Sequence, residues 1–418
     1  MYFLQIVAIL ISLTAIFSYL NQRYIGLPVT IGVMLIALAM SLGLHLLDLF
    51  GFNAAQQAER LLSSIDFNIT VLHGMLSFLL FAGALHVDIN DLAEWKWSIA
   101  ALATIGTLIS TFLVGTLTWW IVGWIGVALP YVYCLLFGAL ISPTDPIAVL
   151  GILKTAKAPK SLEIKITGES LFNDGIGIVV FLVIFDIATG AHEVSPSSII
   201  VLFTQEVMGG AAFGLGCGYL AYHMLKSVDN YQVEILLTLA LVFGGYTLAT
   251  ALHLSGPIAI VVAGLLIGNH GRLFGMSEET RLHLDLFWEL LDEVLNAILF
   301  VLIGLEMLVL TFSQQYLFAS LLLIPCVLFA RFIAIGIPVT LLRLVREFSP
   351  GTIRILTWGG LRGGISVALA LSLPPGPERH VIVAITYVIV IFSIAVQGLT
   401  IEKVIKRTIT SPSVAEDV

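Results

Sequence analysis

The segment GESLFNDGIGIVVF, residues 168–181, sets four polar side chains into an otherwise apolar run. They are Glu169, Ser170, Asn173 and Asp174. Upstream, ISPTDPIAVLGIL at residues 141–153 places Thr144 and Asp145 between two prolines, again within an apolar run. Both runs have the apolar character of membrane helices. Ionisable side chains are costly at that depth and most often serve ion or proton sites.

The composition is that of a polytopic membrane protein. The chain has 418 residues, of which 59% are hydrophobic and 11% charged, whereas soluble domains carry about 25% charged residues. Apolar runs of about 20 residues, each long enough to cross a bilayer, recur along the whole length. We therefore predict an all-α protein with one transmembrane domain over residues 1–407 and a short cytoplasmic tail over residues 408–418. The net charge of −8 is small for this length and argues against a nucleic-acid partner.

The apolar pattern predicts about thirteen spans. They lie at about residues 3–20, 27–50, 68–87, 97–125, 131–153, 166–187, 197–225, 233–252, 257–269, 284–311, 316–342, 355–373 and 380–402. With the N-terminus outside, fifteen of the nineteen Lys and Arg residues fall on the inner side, two fall outside and two lie within spans. Positive residues accumulate in cytoplasmic loops. The pattern predicts a protein of the plasma (inner) membrane with an external N-terminus and a cytoplasmic C-terminus.

Two helix-breaking sequences interrupt spans in the two halves of the chain. The prolines of SPTDP, residues 142–146, interrupt the fifth span, and the glycines of GGLRGG, residues 359–364, loosen the twelfth. Proline removes a backbone donor and disfavours helix at the residue before it, which here is Asp145. Irregular backbone is tolerated at membrane depth only inside protein or beside a water-filled cavity. Interrupted helices in corresponding positions of two halves indicate the binding site of a transporter.

The polar residues of the two segments offer oxygen ligands for a hard monovalent cation. Thr144 and Asp145 supply hydroxyl, carbonyl and carboxylate oxygens. Ser170 and Asp174 are four residues apart, so a helix places them on one face, and Asn173 beside them cannot titrate. We predict a cation and proton site at these four oxygen-bearing residues, supported by Asn173. The structural alternatives are a proline kink satisfied by Asp145 and a polar network that only holds helices together.

Two arginines lie within predicted spans and require carboxylate partners, because an unpaired charge there is costly. Arg362 lies among the four glycines of the twelfth span. We expect it to pair with Glu169, which leaves Asp145 and Asp174 available to a cation. Arg331 in the eleventh span is expected to pair with Glu306.

Five segments together resemble the monovalent cation:proton antiporter family, in its electroneutral sodium/proton exchanger branch. They are SPTDPIAVLGILK, GESLFNDGIGIVVF, LHLSGPIAIVVAGLLIGN, NAILFVLIGLEM and WGGLRGGISVALALSLP. The resemblance runs from about residue 70 to about residue 400. It implies about thirteen spans, an inverted-repeat core with two crossing broken helices, a homodimer, and alternating access by movement of that core.

The resemblance also implies a role for each site residue. Asp174 becomes the main carrier of the cation and the proton. Its co-ligands are Thr144, Asp145 and Ser170. Asn173 marks the electroneutral branch, since electrogenic relatives have a second aspartate, while Glu169 and Arg362 match a buried ion pair of the family. Ala82 departs from the family pattern, because many relatives have an acidic residue at this place.

A carboxylate shared by a proton and a cation predicts the transport reaction. Asp174 must be ionised to hold a cation, and a proton neutralises the same group, so the two ligands exclude each other. A carboxylate loaded with either one crosses with the same net charge. We expect 1:1 electroneutral exchange of Na⁺ or Li⁺ for H⁺ at one alternating-access site, with no cofactor, no ATP and no enzymatic reaction. The expected partners are these ions, membrane lipid and a second copy of the chain.

Three alternatives remain open at this stage. Potassium/proton exchange is the nearest, because the sequence does not fix the size of the cation site. An ion channel would need a continuous pore, and no filter-like segment repeats in the chain. An intramembrane aspartyl protease would need Asp145 and Asp174 to share a proton at about 3 Å, and two prolines around Asp145 fit that geometry poorly.

Overall fold

The computed structural model describes residues 3–51, 53, 55–56, 58–59, 69–146, 149–150, 153, 158–190, 196–308, 313–346 and 348–409. Within these residues the chain is helical, and the only β-type pairing is one isolated bridge. The α-helices are α1 (Phe3–Leu20), α2 (Val29–Leu49), α3 (Leu76–Leu85), α4 (Ile89–Ala101), α5 (Thr107–Ile125), α6 (Tyr131–Leu140), α7 (Lys160–Thr189), α8 (Pro196–Thr204), α9 (Gly210–Lys226), α10 (Tyr231–Ala251), α11 (Gly256–Leu266), α12 (Arg272–Phe274), α13 (Glu278–Glu306), α14 (Gln314–Leu342), α15 (Thr352–Trp358), α16 (Gly364–Leu371), α17 (Pro377–Phe392) and α18 (Gly398–Ile409). Turns of π-helix join or extend several of them, at Asn21–Ile25, Ile69–Met75, Leu102–Gly106, Gln205–Gly209, Ile267–Gly271 and Ser393–Gln397.

Helical segments occur at every predicted span, so the all-α membrane class is confirmed. Among the described residues, nine helical stretches are long and apolar enough to cross a bilayer. The other four predicted spans coincide with two short or interrupted apolar helices, Thr70–Leu85 and α6, with the acidic helix α13, and with the broken pair α15 and α16. The predicted number of thirteen is therefore approximate.

The largest boundary error concerns the fourth span. The sequence predicts a start near residue 97, whereas one continuous helical stretch covers Ile89–Ile125. The Asp88 carboxylate accepts the backbone N–H of Asn90 at 2.7 Å and caps this stretch. Parts of the third, fifth and tenth predicted spans, at residues 68, 147–148, 151–152 and 309–311, lie outside the described residues, as do residues 410–418 of the predicted tail.

Helix α7 runs through the centre of the protein and carries the polar segment that opens the sequence analysis. It extends over 30 residues and ends at Gly190, whose φ of 71° is in the left-handed region. Almost every residue from 168 to 181 is buried. The helix packs against α4, α6 and α11, so protein surrounds its polar face and lipid does not.

Two broken helices meet beside α7, as the family resemblance implies. Helix α6 ends at Leu140 and helicity resumes at Val149, while α15 and α16 are separated at residues 359–363. The two breaks touch at the isolated antiparallel bridge, where the Asp145 N–H donates to the Leu361 carbonyl at 2.8 Å. The bond satisfies a backbone N–H of one break and a carbonyl of the other. Irregular backbone is tolerated inside an apolar protein only when its polar groups find such partners.

Close approach of α7 to the first break depends on Gly177. A Cβ atom at this position would lie 2.5 Å from Cγ of Pro143, a distance that real contacts do not reach. The glycine therefore lets the helix carrying Asp174 lie directly against the segment carrying Asp145.

Candidate functional site

A cavity of about 500 Å³ reaches the crossing of the two broken helices. Its inner lining contains all four predicted ligand residues, Thr144, Asp145, Ser170 and Asp174. Asp174 is 8% exposed and Ser170 and Thr144 are almost fully buried, while Asp145 is partly buried. The structure therefore brings the predicted oxygen ligands together around one small polar region at the end of a cavity.

Asn173 joins helix α7 to the first break. Its amide nitrogen donates to Oγ1 of Thr144 at 2.9 Å and to Oε1 of Glu169 at 2.8 Å. Its amide oxygen accepts the backbone N–H of Thr144 at 3.3 Å. The side chain thus uses its donor and acceptor groups to hold the first break against α7.

Ser170 makes a second link between α7 and the break. Its hydroxyl donates to the carbonyl oxygen of Thr144. A hydroxyl that donates its proton in this way keeps lone pairs for a cation. Since Asn173 already holds the Thr144 side chain, the peptide at Thr144 is fixed from both sides.

The Asp174 carboxylate differs from its neighbours because no hydrogen bond within the described residues ends on it. Asp145 and Glu169 add negative charge around it. Asp145 is held by the backbone bridge to Leu361, and a Cβ at Gly363 would lie 2.6 Å from its Oδ2. A buried carboxylate with acidic neighbours requires either a proton or a cation.

The predicted pairing of Glu169 with Arg362 is wrong. Glu169 instead receives two hydrogen bonds from Arg331, from Nη1 to Oε1 at 2.7 Å and from Nη2 to Oε2 at 2.8 Å. The expected partner of Arg331, Glu306, is not involved. Arg331 lies on the continuous helix α14 and approaches the second break at Gly360, where a Cβ would lie 2.7 Å from its Nε.

Arg362 donates hydrogen bonds to backbone carbonyl oxygens and not to the carboxylate that was expected as its partner. Its Nη1 donates to the carbonyl oxygens of Ser142 and Pro143, the latter at 3.0 Å. These carbonyls lie in the proline-interrupted segment, where regular helical partners are missing. The guanidinium remains within electrostatic range of Glu169 and Arg331. Arg362 thus supports the site by holding the first break, which the two prolines create.

One wall of the cavity was not predicted from the sequence. Glu289, Asp292 and Asn296 of α13 line it together with Asp174. Their spacing of three and four residues places them on one helix face, and this spacing was the available signal. Ala82, the noted departure from the family pattern, also lies on the cavity wall and is buried.

The charged side chains in the more exposed part of the cavity are mostly acidic. Asp88, Asp91 and Glu163 line it. The one lysine of this lining, Lys160, forms an ion pair with Asp91 at 2.7 Å. An acidic approach attracts small cations and repels anions.

The chain is similar to known proteins along almost its whole length. The family described as "Sodium/hydrogen exchanger, transmembrane" matches residues 9–407. The Na(+)/H(+) antiporter NhaP of Pseudomonas aeruginosa is 51% identical over 409 residues, covering 97% of this chain and 96% of the relative. The Na(+)/H(+) antiporter NhaH of Halobacillus dabanensis is 33% identical over 410 residues, again covering 97% and 96%.

A solved structure shares the fold. The sodium proton antiporter MjNhaP1 from Methanocaldococcus jannaschii superimposes with a TM-score of 0.78 over 98% of this chain and 100% of that chain. Its sequence is 18% identical, so the similarity concerns the arrangement of helices alone.

Proposed function

Because this chain belongs to the sodium/hydrogen exchanger family, we propose that it carries Na⁺ across the membrane in exchange for H⁺. One observation carries the proposal. The Asp174 carboxylate lies at the inner end of an acidic cavity, has no hydrogen bond within the described chain, and faces oxygen atoms of three further residues. They are Thr144, Asp145 and Ser170.

Competition at Asp174 couples the two ions. With Asp174 ionised, Na⁺ binds between its carboxylate, the Asp145 carboxylate and the oxygens of Ser170 and Thr144. When a proton binds Asp174, the attraction for Na⁺ falls and the cation leaves. The network around Asn173 keeps the peptide oxygens in place in both states, so the same site accepts either ligand without refolding.

The exchange is proposed to be electroneutral, with one Na⁺ moved for each H⁺. Asn173 cannot carry a proton, and both carboxylate oxygens of Glu169 are occupied by hydrogen bonds from Arg331. Only one carboxylate then changes its ligand during a cycle, and it crosses with the same charge whether it holds Na⁺ or H⁺. The ion pair with Arg331 keeps Glu169 out of the transport reaction.

We further propose that Li⁺ replaces Na⁺, since both are small hard cations that bind carboxylate and carbonyl oxygens. Potassium is disfavoured because the relatives described above are sodium/proton antiporters by name. The protein is proposed to act as a homodimer in the plasma membrane, with the N-terminus outside and the C-terminus cytoplasmic. With that orientation the cavity, whose outer lining includes Asp91 and Lys160, opens to the cytoplasm.

Proton flux in proteoliposomes tests the proposal. Purified protein is reconstituted with a pH-sensitive dye inside, and Na⁺, Li⁺ and K⁺ are offered outside in turn. Na⁺ and Li⁺ should drive saturable proton movement, K⁺ should drive much less, and Asp174→Asn should show none. Equal flux with all three ions, or flux from the folded Asp174→Asn protein, contradicts the proposal.

A further inference from the structure

One face of helix α13 contributes an acidic wall to the cavity that the carrier site does not use. Glu289, Asp292 and Asn296 line the cavity, and Leu299 follows on the same face. The helix packs mainly against α2 and α3 and also contacts α16, where its Leu299 lies beside Gly364 of the second break. Glu289 lies in the exposed outer part, Asp292 is half-buried, and Asn296 is 2% exposed. The face therefore descends from the cavity opening towards the carrier site.

Asn296 is an unusual residue for a buried helix face. Neither its amide oxygen nor its amide nitrogen has a hydrogen-bond partner among the described residues. Asp292, one turn earlier, interacts with this amide without meeting hydrogen-bond geometry. Buried polar groups in native proteins are nearly always satisfied, because an unpaired one costs about 1–3 kcal/mol. Since the side chain lines the cavity, water or an ion in the cavity is its available partner.

The charges around Asn296 determine the kind of ligand. Asp292 lies within electrostatic range of Asp145, and the two negative groups repel each other. Glu289 adds a further negative group to the same wall. The one lysine of the cavity lining is already paired with Asp91. A cation relieves the repulsion between the carboxylates, and the Asn296 oxygen is a suitable ligand for a hard cation.

We propose that Asp292 and Asn296 form a second monovalent-cation site, at which Na⁺ binds before it passes to Asp174. The proposal rests on the proposed function. Among the described residues no three His, Cys, Asp or Glu side chains converge as ligands of one metal ion. The ion at this second site therefore keeps part of its hydration shell. Loss of the remaining water accompanies transfer to the Thr144 and Ser170 oxygens of the carrier site.

Binding of radioactive sodium to purified protein tests the site directly. In Asp174→Asn protein, the carrier carboxylate is neutral but weak sodium binding should persist. It should disappear when Asp292→Asn is added and stay when Glu293→Gln is added instead, because Glu293 is exposed and does not line the cavity. Binding that is absent from Asp174→Asn protein, or that survives Asp292→Asn, overturns the second site.

Transport kinetics give an independent measurement. In otherwise unchanged protein, Asp292→Asn should raise the apparent KM for Na⁺ about three- to tenfold. The maximal rate should remain within about twofold, because the carrier site is intact. Glu293→Gln should behave like the unsubstituted protein. An unchanged KM with a normal maximal rate contradicts the inference alone, whereas unsubstituted protein without sodium-driven flux contradicts the proposed function.

Asn296→Ala separates binding from structure. If the amide serves a cation, its removal raises the apparent KM but leaves thermal stability equal or higher, because an unpaired buried group is removed. If the amide is structural, the substitution lowers stability and leaves KM unchanged. The second result refutes the role of Asn296.

Discussion

Neutralising Arg331 should destabilise the protein far more than neutralising an exposed arginine, because it leaves the Glu169 carboxylate charged and buried. Both side chains are nearly inaccessible, at 6% for Arg331 and 2% for Glu169. Two charge-assisted hydrogen bonds, at 2.7 and 2.8 Å, join them. The variant Arg331→Gln keeps most of the side-chain volume but removes the charge, so the expected loss reports on the pair.

The magnitude follows from that geometry. Hydrogen bonds to charged groups contribute about 1.5–3 kcal/mol each, so two of them account for about 3–6 kcal/mol. This agrees with the loss of about 3–5 kcal/mol when one partner of a buried pair is removed. The double variant with Glu169→Gln should recover part of the loss, with a coupling energy of about 2–3 kcal/mol. For Glu169 and Arg362, which share no hydrogen bond, the coupling should be smaller.

Denaturant-induced unfolding in detergent, followed by tryptophan fluorescence, measures these energies in a double-mutant cycle. Arg354→Gln is the matched control, because Arg354 is an exposed arginine of α15 beside the second break. The cycle is run once with Glu169 and Arg331 and once with Glu169 and Arg362. Additive losses for the first pair, or a larger coupling for the second, would refute the assignment of the ion pair.

The remaining expectations concern the carrier site and its packing. Asp174→Asn should fold normally but show no sodium-driven proton flux, and any appreciable flux would show that Asp174 is not the carrier. Asp145→Asn should raise the apparent KM for Na⁺ about tenfold through loss of one charged ligand; normal sodium affinity would make this residue structural. Gly177→Ala should lower the unfolding free energy by about 1–3 kcal/mol, because the new Cβ meets Pro143 at 2.5 Å. The control Gly216→Ala, whose Cβ has nothing within 4 Å, should leave the unfolding free energy unchanged. Equal effects of the two substitutions would show that the close contact does not matter. A membrane potential imposed on proteoliposomes should leave the exchange rate unchanged, and a strong voltage dependence would indicate a second titrating group.

The fold was accessible from the sequence because its decisive features are local. Two prolines around Asp145 and the glycines around Arg362 break helices wherever they occur. Apolar length alone marks the continuous spans. The starts of helices, such as the one at Ile89, were harder to predict from the sequence, because a cap such as Asp88 depends on a single side chain. The crossing of the two breaks was implied by family resemblance, whereas the contact of Asp145 with Leu361 is visible only in three dimensions.

The sequence predicted which oxygen-bearing residues meet at the cavity, but not the ion pair beside them. Thr144, Ser170 and Asp174 stand out as polar residues in apolar runs. The choice between two arginines for Glu169 depends on distances between helices far apart in sequence, which composition and spacing do not contain. The wall of α13 was missed for a different reason, since acidic residues on an amphipathic helix resemble a solvated surface until the helix is seen to line a cavity.

Proton release on sodium binding tests the central claim, that Na⁺ and H⁺ compete for the Asp174 carboxylate. Purified protein in weakly buffered detergent solution is mixed with NaCl while a pH indicator and sodium binding are followed over a series of pH values. Sodium affinity should rise with pH, and proton release should approach about one per chain at its maximum. In Asp174→Asn protein the release should vanish. Sodium binding without proton release at any pH, or unchanged release from Asp174→Asn protein, would contradict the account.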